Sequence, residues 1–216
     1  MVASPELWII AGPNGAGKTT LAQARPIREL LPRVRFLNPD DAALALLVQQ
    51  GYRGFADAPE HIQREVFLAA ARKITEELDV ALHRSEPVGV ETVLSSDKYR
   101  APVEFVQEHG GFVGFIYVAL ASPELACARV ARRVRAGGHN VPEDKTRARW
   151  HRSLANLEWF ARRASACWVF DNSDENPAVP PQLVATGRAG FLEFLAPATF
   201  DSLRSALSAV PRRTSC

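Results

Sequence analysis

Cysteine is scarce in this chain of 216 residues: Cys127, Cys167 and Cys216 are odd in number and far apart. That spacing fits neither a disulfide framework nor a cysteine-based zinc site, and it points to a reducing compartment, the cytoplasm. Charge of one sign is lacking too. The 26 basic and 24 acidic side chains leave a net charge of +2, so nothing draws the whole molecule toward nucleic acid or a membrane surface. Long hydrophobic runs are absent: no segment approaches the roughly 18 uninterrupted apolar residues that a membrane helix needs. No basic region with a long apolar stretch opens the chain, and no repeat or low-complexity segment appears. With only six residues before the first strand-like run, no inhibitory segment is expected ahead of it. What is left is a length that can close one sizeable core without metal or disulfides.

The clearest positive signal is IIAGPNGAGKTTLA at residues 9–22. Gly12, Gly17, Lys18 and Thr19 satisfy the phosphate-loop pattern G-x-x-x-x-G-K-[ST]. A loop that wraps a polyphosphate turns consecutive backbone N–H groups inward, and a Cβ at Gly12 or Gly17 would obstruct that approach or forbid the dihedral angles. Gly15 and Ala16 complete the loop, and Asn14 and Thr20 are further contact candidates. Lys18 is placed to bridge the β- and γ-phosphates of ATP, and the Thr19 hydroxyl to hold Mg²⁺.

Around this motif, apolar runs alternate with helical periodicity, the pattern of a parallel sheet with helices on both faces. Strands are predicted at residues 7–11, 34–37, 88–94, 112–120 and 167–170. The longest helix is predicted from Pro59 to His83, where Ile62, Val66, Ala69, Ala70, Ile74, Leu78 and Leu82 recur at three- and four-residue steps. Further helices are expected at 99–109 and 122–136, each closing on a glycine pair. Beyond Phe170 a turn-rich stretch leads to a hairpin around Gly187 or Gly190 and a helix from about Pro197 to Val210. Residues 177–216 are thus expected as an appendage on one kinase-like domain, 1–216.

Polar residues at the C-terminal ends of the strands are the next candidates, because ligands of open parallel sheets sit there. Asp40, in FLNPDDAALALL, can serve as general base for an attacking hydroxyl or can simply cap the helix that follows. Glu91 and Thr92, in VGVETVLSS, end an apolar strand. A carboxylate there needs a partner such as hydrated Mg²⁺ or a substrate hydroxyl, unless it lies on an exposed edge or in an ion pair. Positive charge concentrates in ARVARRVRAGGHNVPEDKTRARWHRSLANL. Arg129, Arg132 and Arg133 share one helix face, Gly137 and Gly138 form a hinge, and Lys145, Arg149, Arg152 and Asn156 line the next helix opposite Trp150, Leu154, Leu157 and Ala161. Residues 129–152 read as a lid that brings guanidinium groups to the phosphates, with His139 in its hinge. Nucleic-acid binding fits less well, since the patch is short and few aromatics interleave it. Asp171 and Asn172 occupy the loop where small kinases wrap adenine, or act as turn formers.

GPNGAGKTT, NPDDAA, ETVLSS, the arginine-rich stretch and DNS, in that order over residues 7–173, resemble the zeta-toxin-like P-loop kinases. The resemblance implies a three-layer α/β P-loop fold like that of adenylate and shikimate kinases, with ATP and Mg²⁺ as cofactors. It implies transfer of the γ-phosphate to a sugar hydroxyl, in the best-known members the 3′-hydroxyl of UDP-N-acetylglucosamine, and an antitoxin protein as partner. It assigns Lys18 and Thr19 to ATP and Mg²⁺, Asp40 to activation of the acceptor, Glu91 and Thr92 to the substrate or metal site, and Arg129 and Arg132 to the nucleotide phosphates. Where the founding toxins carry an arginine near the lid proline, this chain has GGHNVP, which makes His139 or Arg149 the replacement. The strand-three motif departs from the founding E-G-T arrangement as well.

Overall fold

A computed structural model describes residues 4–176, 178–196 and 200–212. Strand β1 (Glu6–Ala11) lies at the centre of a seven-stranded sheet. Around it stand β2 (Arg35–Leu37), β3 (Val88–Thr92), β4 (Phe112–Ala119), β5 (Ala166–Asp171), β6 (Gln182–Arg188) and β7 (Phe191–Phe194), in the order β2-β3-β1-β4-β5-β6-β7. The first five are mutually parallel; β6 runs antiparallel to β5, and β7 antiparallel to β6. β1 is apolar on both faces because helices cover both: Leu7, Ile9 and Ile10 are fully buried. Its register sets Ile10 beside Glu91 of β3 and Ile116 of β4, so that Glu91 arrives next to the start of the phosphate loop.

The helices are α1 (Lys18–Gln23), α2 (Arg25–Leu30), α3 (Pro39–Gln49), α4 (Glu60–His83), α5 (Arg100–Glu108), α6 (Pro123–Arg135), α7 (Glu143–Arg163) and α8 (Asp201–Leu207). Ser122 caps α6 through the Leu125 amide, as its position before Pro123 predicts. Helices α3 and α4 pack on each other through a cluster of their own, Ala43, Leu47, Phe55, Ala58, Val66 and Ala70, separate from the main core. None of the described helices is long and apolar enough to cross a membrane.

Several expectations need adjustment. The third strand stops at Thr92 rather than Leu94, because Leu94 has a left-handed backbone (φ 59°) and its amide donates to Thr92 Oγ1 (3.0 Å), turning the chain out of the sheet. Residues 182–194 are no appendage: β6 pairs with β5 along its length and extends the same sheet, and the hairpin turns at Ala189–Gly190. The C-terminal helix is described from Asp201, and Pro197 and Cys216 lie outside the described residues. The helix after the glycine hinge docks by one face, as its two stripes predict. Trp150, Leu154, Leu157 and Ala161 are buried in the main core, and Trp150 Nε1 donates to Leu120 O (3.0 Å). Each large apolar side chain contributes about 1.5–3 kcal/mol by burial, so α7 is anchored on the core.

Candidate active site

β1 delivers the chain into the loop at Gly12, whose φ of 147° is open to glycine. A Cβ there would sit 2.2 Å from the Val118 carbonyl oxygen of β4, so the close passage of the loop beside that strand depends on a missing side chain. Gly17 caps α1 in the left-handed conformation (φ 85°, ψ 21°). The loop closes on itself through the Ala16 amide and Pro13 O (3.2 Å), and Asn172 Nδ2 secures it by donating to Ala16 O (2.8 Å). Among the described residues, the amides of Gly15, Gly17, Lys18 and Thr19 make no hydrogen bond, and Asn14 is buried with its Oδ1 unpartnered. A ring of unspent donors at the mouth of a helix is the chemistry that receives a phosphate chain.

Lys18 folds its ammonium back onto the carbonyl oxygens of Gly12 (2.9 Å) and Pro13 (3.1 Å). Burial pulls its pKa down to about 8 against the opposing pull of the Glu91 and Asp40 carboxylates, with Arg133 adding to the fall. A cation partly stripped of water and lacking an anion within bonding distance is one that a polyphosphate would stabilise. Thr19 Oγ1 donates to Glu91 Oε2 (2.8 Å). Burial raises the Glu91 pKa; the Thr19 hydrogen bond and the Lys18 charge oppose that rise, while Asp41 and Asp40 add to it. This hydroxyl–carboxylate pair, beside the amide ring, is a donor set of the hard oxygen kind that Mg²⁺ takes together with phosphate oxygens. Among the described residues, no group of three His, Cys, Asp or Glu side chains is arranged to hold a metal by itself.

Opposite the loop, Asn38 is the residue that caps α3: its Oδ1 accepts from the Asp40 amide (2.9 Å). Asp40 therefore stands in the first helical turn, exposed, with a carboxylate that accepts no hydrogen bond among the described residues. Its charge is felt at Lys18, Glu91, His139 and Arg149. Burial lowers the Arg149 pKa, as does the neighbouring Arg152. Thr92 is turned toward its own loop, where its hydroxyl accepts from Leu94 N.

The arginines divide their work differently from the spacing-based expectation. Arg129 donates to Asp174 O (2.6 Å), tying α6 to the loop after β5. Arg132 is exposed and felt at Arg129 rather than at Lys18. Arg133 is the one whose charge reaches Lys18; its Nη2 donates to His139 O (2.9 Å) and its buried Nε has no partner among the described residues. Spacing alone set these three on one face, and nothing in the sequence said which would turn inward. Two residues of the polar stripe on α7 hold a loop. Asn156 Nδ2 donates to Leu94 O (2.9 Å) and Arg152 Nε to Ser95 O (3.1 Å), so that α7 holds the loop after β3. Thr20 is exposed at the start of α1.

The model of the AAA domain family AAA_33 matches residues 7–159. An uncharacterized protein of Haemophilus influenzae is 24% identical over 152 residues, covering 67% of this chain and 97% of its own. Among solved structures, the AvrRxo1-ORF1:-ORF2 complex with ATP superposes with a TM-score of 0.65 at 15% identity over 89% of this chain; this chain spans 61% of that one. A protein of Chloroflexus aurantiacus J-10-fl, provisionally described as a kinase, gives 0.52 at 20% identity, over 69% of this chain and 78% of its own. The PezAT chromosomal toxin–antitoxin system of Streptococcus pneumoniae gives 0.51 at 14% identity, over 78% and 68%. These likenesses establish a P-loop NTPase fold, α/β with a mostly parallel sheet.

Proposed function

The chain belongs to the AAA_33 family of AAA domains, and from that premise we propose that it is an ATP-dependent kinase that moves the γ-phosphate onto a hydroxyl of a small molecule. The observation that carries the proposal is Asp40: a carboxylate in the first turn of α3, free of hydrogen bonds among the described residues, whose charge is felt at the phosphate-loop lysine. A protein that only senses ATP needs the loop and has no use for such a base.

In this reading the amides from Gly15 to Thr19, with Gly12, Asn14, Ala16 and Thr20 shaping the loop, bind the triphosphate. Lys18 moves from the Gly12 and Pro13 carbonyls to the phosphate oxygens and regains full protonation as it does so. Thr19 and Glu91 would hold Mg²⁺, which supplies neutralisation of charge on the transferring phosphoryl group. Asp40 takes the proton of the attacking hydroxyl, and Arg149 and Arg133 stabilise negative charge from the far side. Arg129 and Asn172 frame the nucleotide end, and Arg132 stands at its rim. A sugar hydroxyl, with UDP-N-acetylglucosamine first on the panel, is the acceptor that the resemblance to zeta-toxin-like kinases favours. An antitoxin-like protein belongs to the same reading, since PezAT is a toxin–antitoxin system.

The test is ADP release by purified protein over a panel of sugar nucleotides, nucleosides and hydroxylated antibiotics, with the product mapped by phosphorus NMR. Release stimulated by one acceptor, with a phosphoester on that acceptor, is expected. Release that ignores every acceptor would instead indicate an ATP-operated interaction module.

A further inference from the structure

The residue that the kinase reading leaves without a task is His139. It lies in the connection between α6 and α7, just after the Gly137–Gly138 pair, where a glycine with φ 86° leaves the backbone little stiffness of its own. The amides of both glycines bond back to the end of α6, Gly137 to Val134 O (2.9 Å) and Gly138 to Arg133 O (3.0 Å). His139 reaches the other way. Its ring lies 4.2 Å from that of Phe67 and 5.4 Å from that of Phe55, and those two rings are themselves stacked at 5.3 Å and 5°. Phe55 belongs to the separate α3–α4 cluster, and Phe67 packs on it. The imidazole thus completes a three-ring group that joins the hinge to the helix pair that carries Asp40.

The backbone of the same residue holds an arginine. His139 O accepts from Arg133 Nη2, while Arg133 Nε is buried with no partner among the described residues, which leaves that guanidinium positioned by one carbonyl. We propose that His139 is a positioning residue: its ring pins the hinge to the α3–α4 pair, and its carbonyl thereby holds the Arg133 guanidinium at one fixed place beside the hinge. The ring acts through packing. Among the described residues its buried Nδ1 has no hydrogen-bond partner, so a phenyl ring would forfeit no bond at that atom. This differs from direct contact between His139 and phosphate, which the hinge position suggested.

The inference rests on the kinase reading for its catalytic consequence, and the experiment separates the two. His139→Ala is expected to lower kcat for acceptor phosphorylation by about 10- to 100-fold, the scale of a small misplacement of a charged group, with KM for ATP within about threefold. His139→Phe is expected to restore kcat to within about threefold. The kcat losses of His139→Ala and Arg133→Ala are expected not to multiply, since both remove one placement. If His139→Phe is as impaired as His139→Ala, the imidazole touches substrate and the pin is wrong. Amide hydrogen exchange over residues 136–142 provides a readout that needs no acceptor: faster in His139→Ala, unchanged in His139→Phe. Unchanged exchange in His139→Ala overturns the pin whatever the fate of the kinase reading, whereas a wild type that phosphorylates nothing overturns only the latter. Should His139→Ala not fold, His139→Gln, which has similar reach and no ring, takes its place.

Discussion

The two sides of the candidate site are built in opposite ways. The phosphate side is nine consecutive residues, Gly12 to Thr20, whose shape follows from where glycine occurs and from the strand and helix that flank them. The side proposed for the acceptor draws on four separate stretches: Asp40 on α3, Glu91 on β3, Arg133 and His139 about the α6–α7 connection, and Arg149 on α7. A contiguous site is stable to changes elsewhere, because its geometry is local. An assembled one depends on every packing contact that brings its parts together, and it can change its acceptor by moving any of them.

If that contrast holds, Asp40→Asn gives the largest effect and confines it to one side. Phosphotransfer should fall by about 10²- to 10⁴-fold, the usual weight of a general base, while ATP affinity measured by calorimetry stays within about twofold. Equal losses in both would mean that Asp40 serves the nucleotide, and the division would be lost. Gly12→Ala probes the other side. A methyl group 2.2 Å from the Val118 carbonyl, at a φ of 147°, should destabilise the protein by roughly 2–4 kcal/mol in urea unfolding and weaken ATP binding with it.

The titration of Lys18 sharpens the comparison further. Its folded pKa of about 8 lies below the ordinary 10.5, so between these values the unfolded chain binds more protons, and the stability contributed by this group rises as pH goes from about 8 to 10.5. Lys18→Met should remove that rise from the pH profile of thermal unfolding, and saturating ATP should flatten it in the wild type. The smallest effect is expected for Asn172→Ala. It deletes the hydrogen bond to Ala16 O and should lower stability by about 1 kcal/mol, with a modest loss of ATP affinity and no change in the acceptor KM.

How much of this was legible before the fold was known follows the same division. The five parallel strands, the long α4 and the capped α6 were readable because periodicity, glycine pairs and Ser-Pro starts act over a few residues. The place of β6 and β7 in the main sheet was not, since pairing with β5 is a long-range event that an isolated hairpin pattern does not announce. Arg133 and Arg132 are neighbours with the same side chain, and only the position of α6 against the loop decides that the charge of Arg133 reaches Lys18. Phe55 and Phe67 carried no signal at all, because an aromatic on a helix pair reads as core until a partner ring arrives from 70 residues away or more.

The order of residues alone determined the phosphate cradle: glycines that free the backbone, a lysine and a threonine at the first turn of a helix, and a strand that leads into them. Those features need only neighbours along the chain. Tertiary structure decided which arginine's charge reaches the lysine, that the polar stripe of α7 holds the loop after β3, and that a hinge histidine rests on two phenylalanines. Such outcomes depend on distances between segments far apart in sequence, and those distances exist only once the apolar faces of the sheet and helices have been buried against one another.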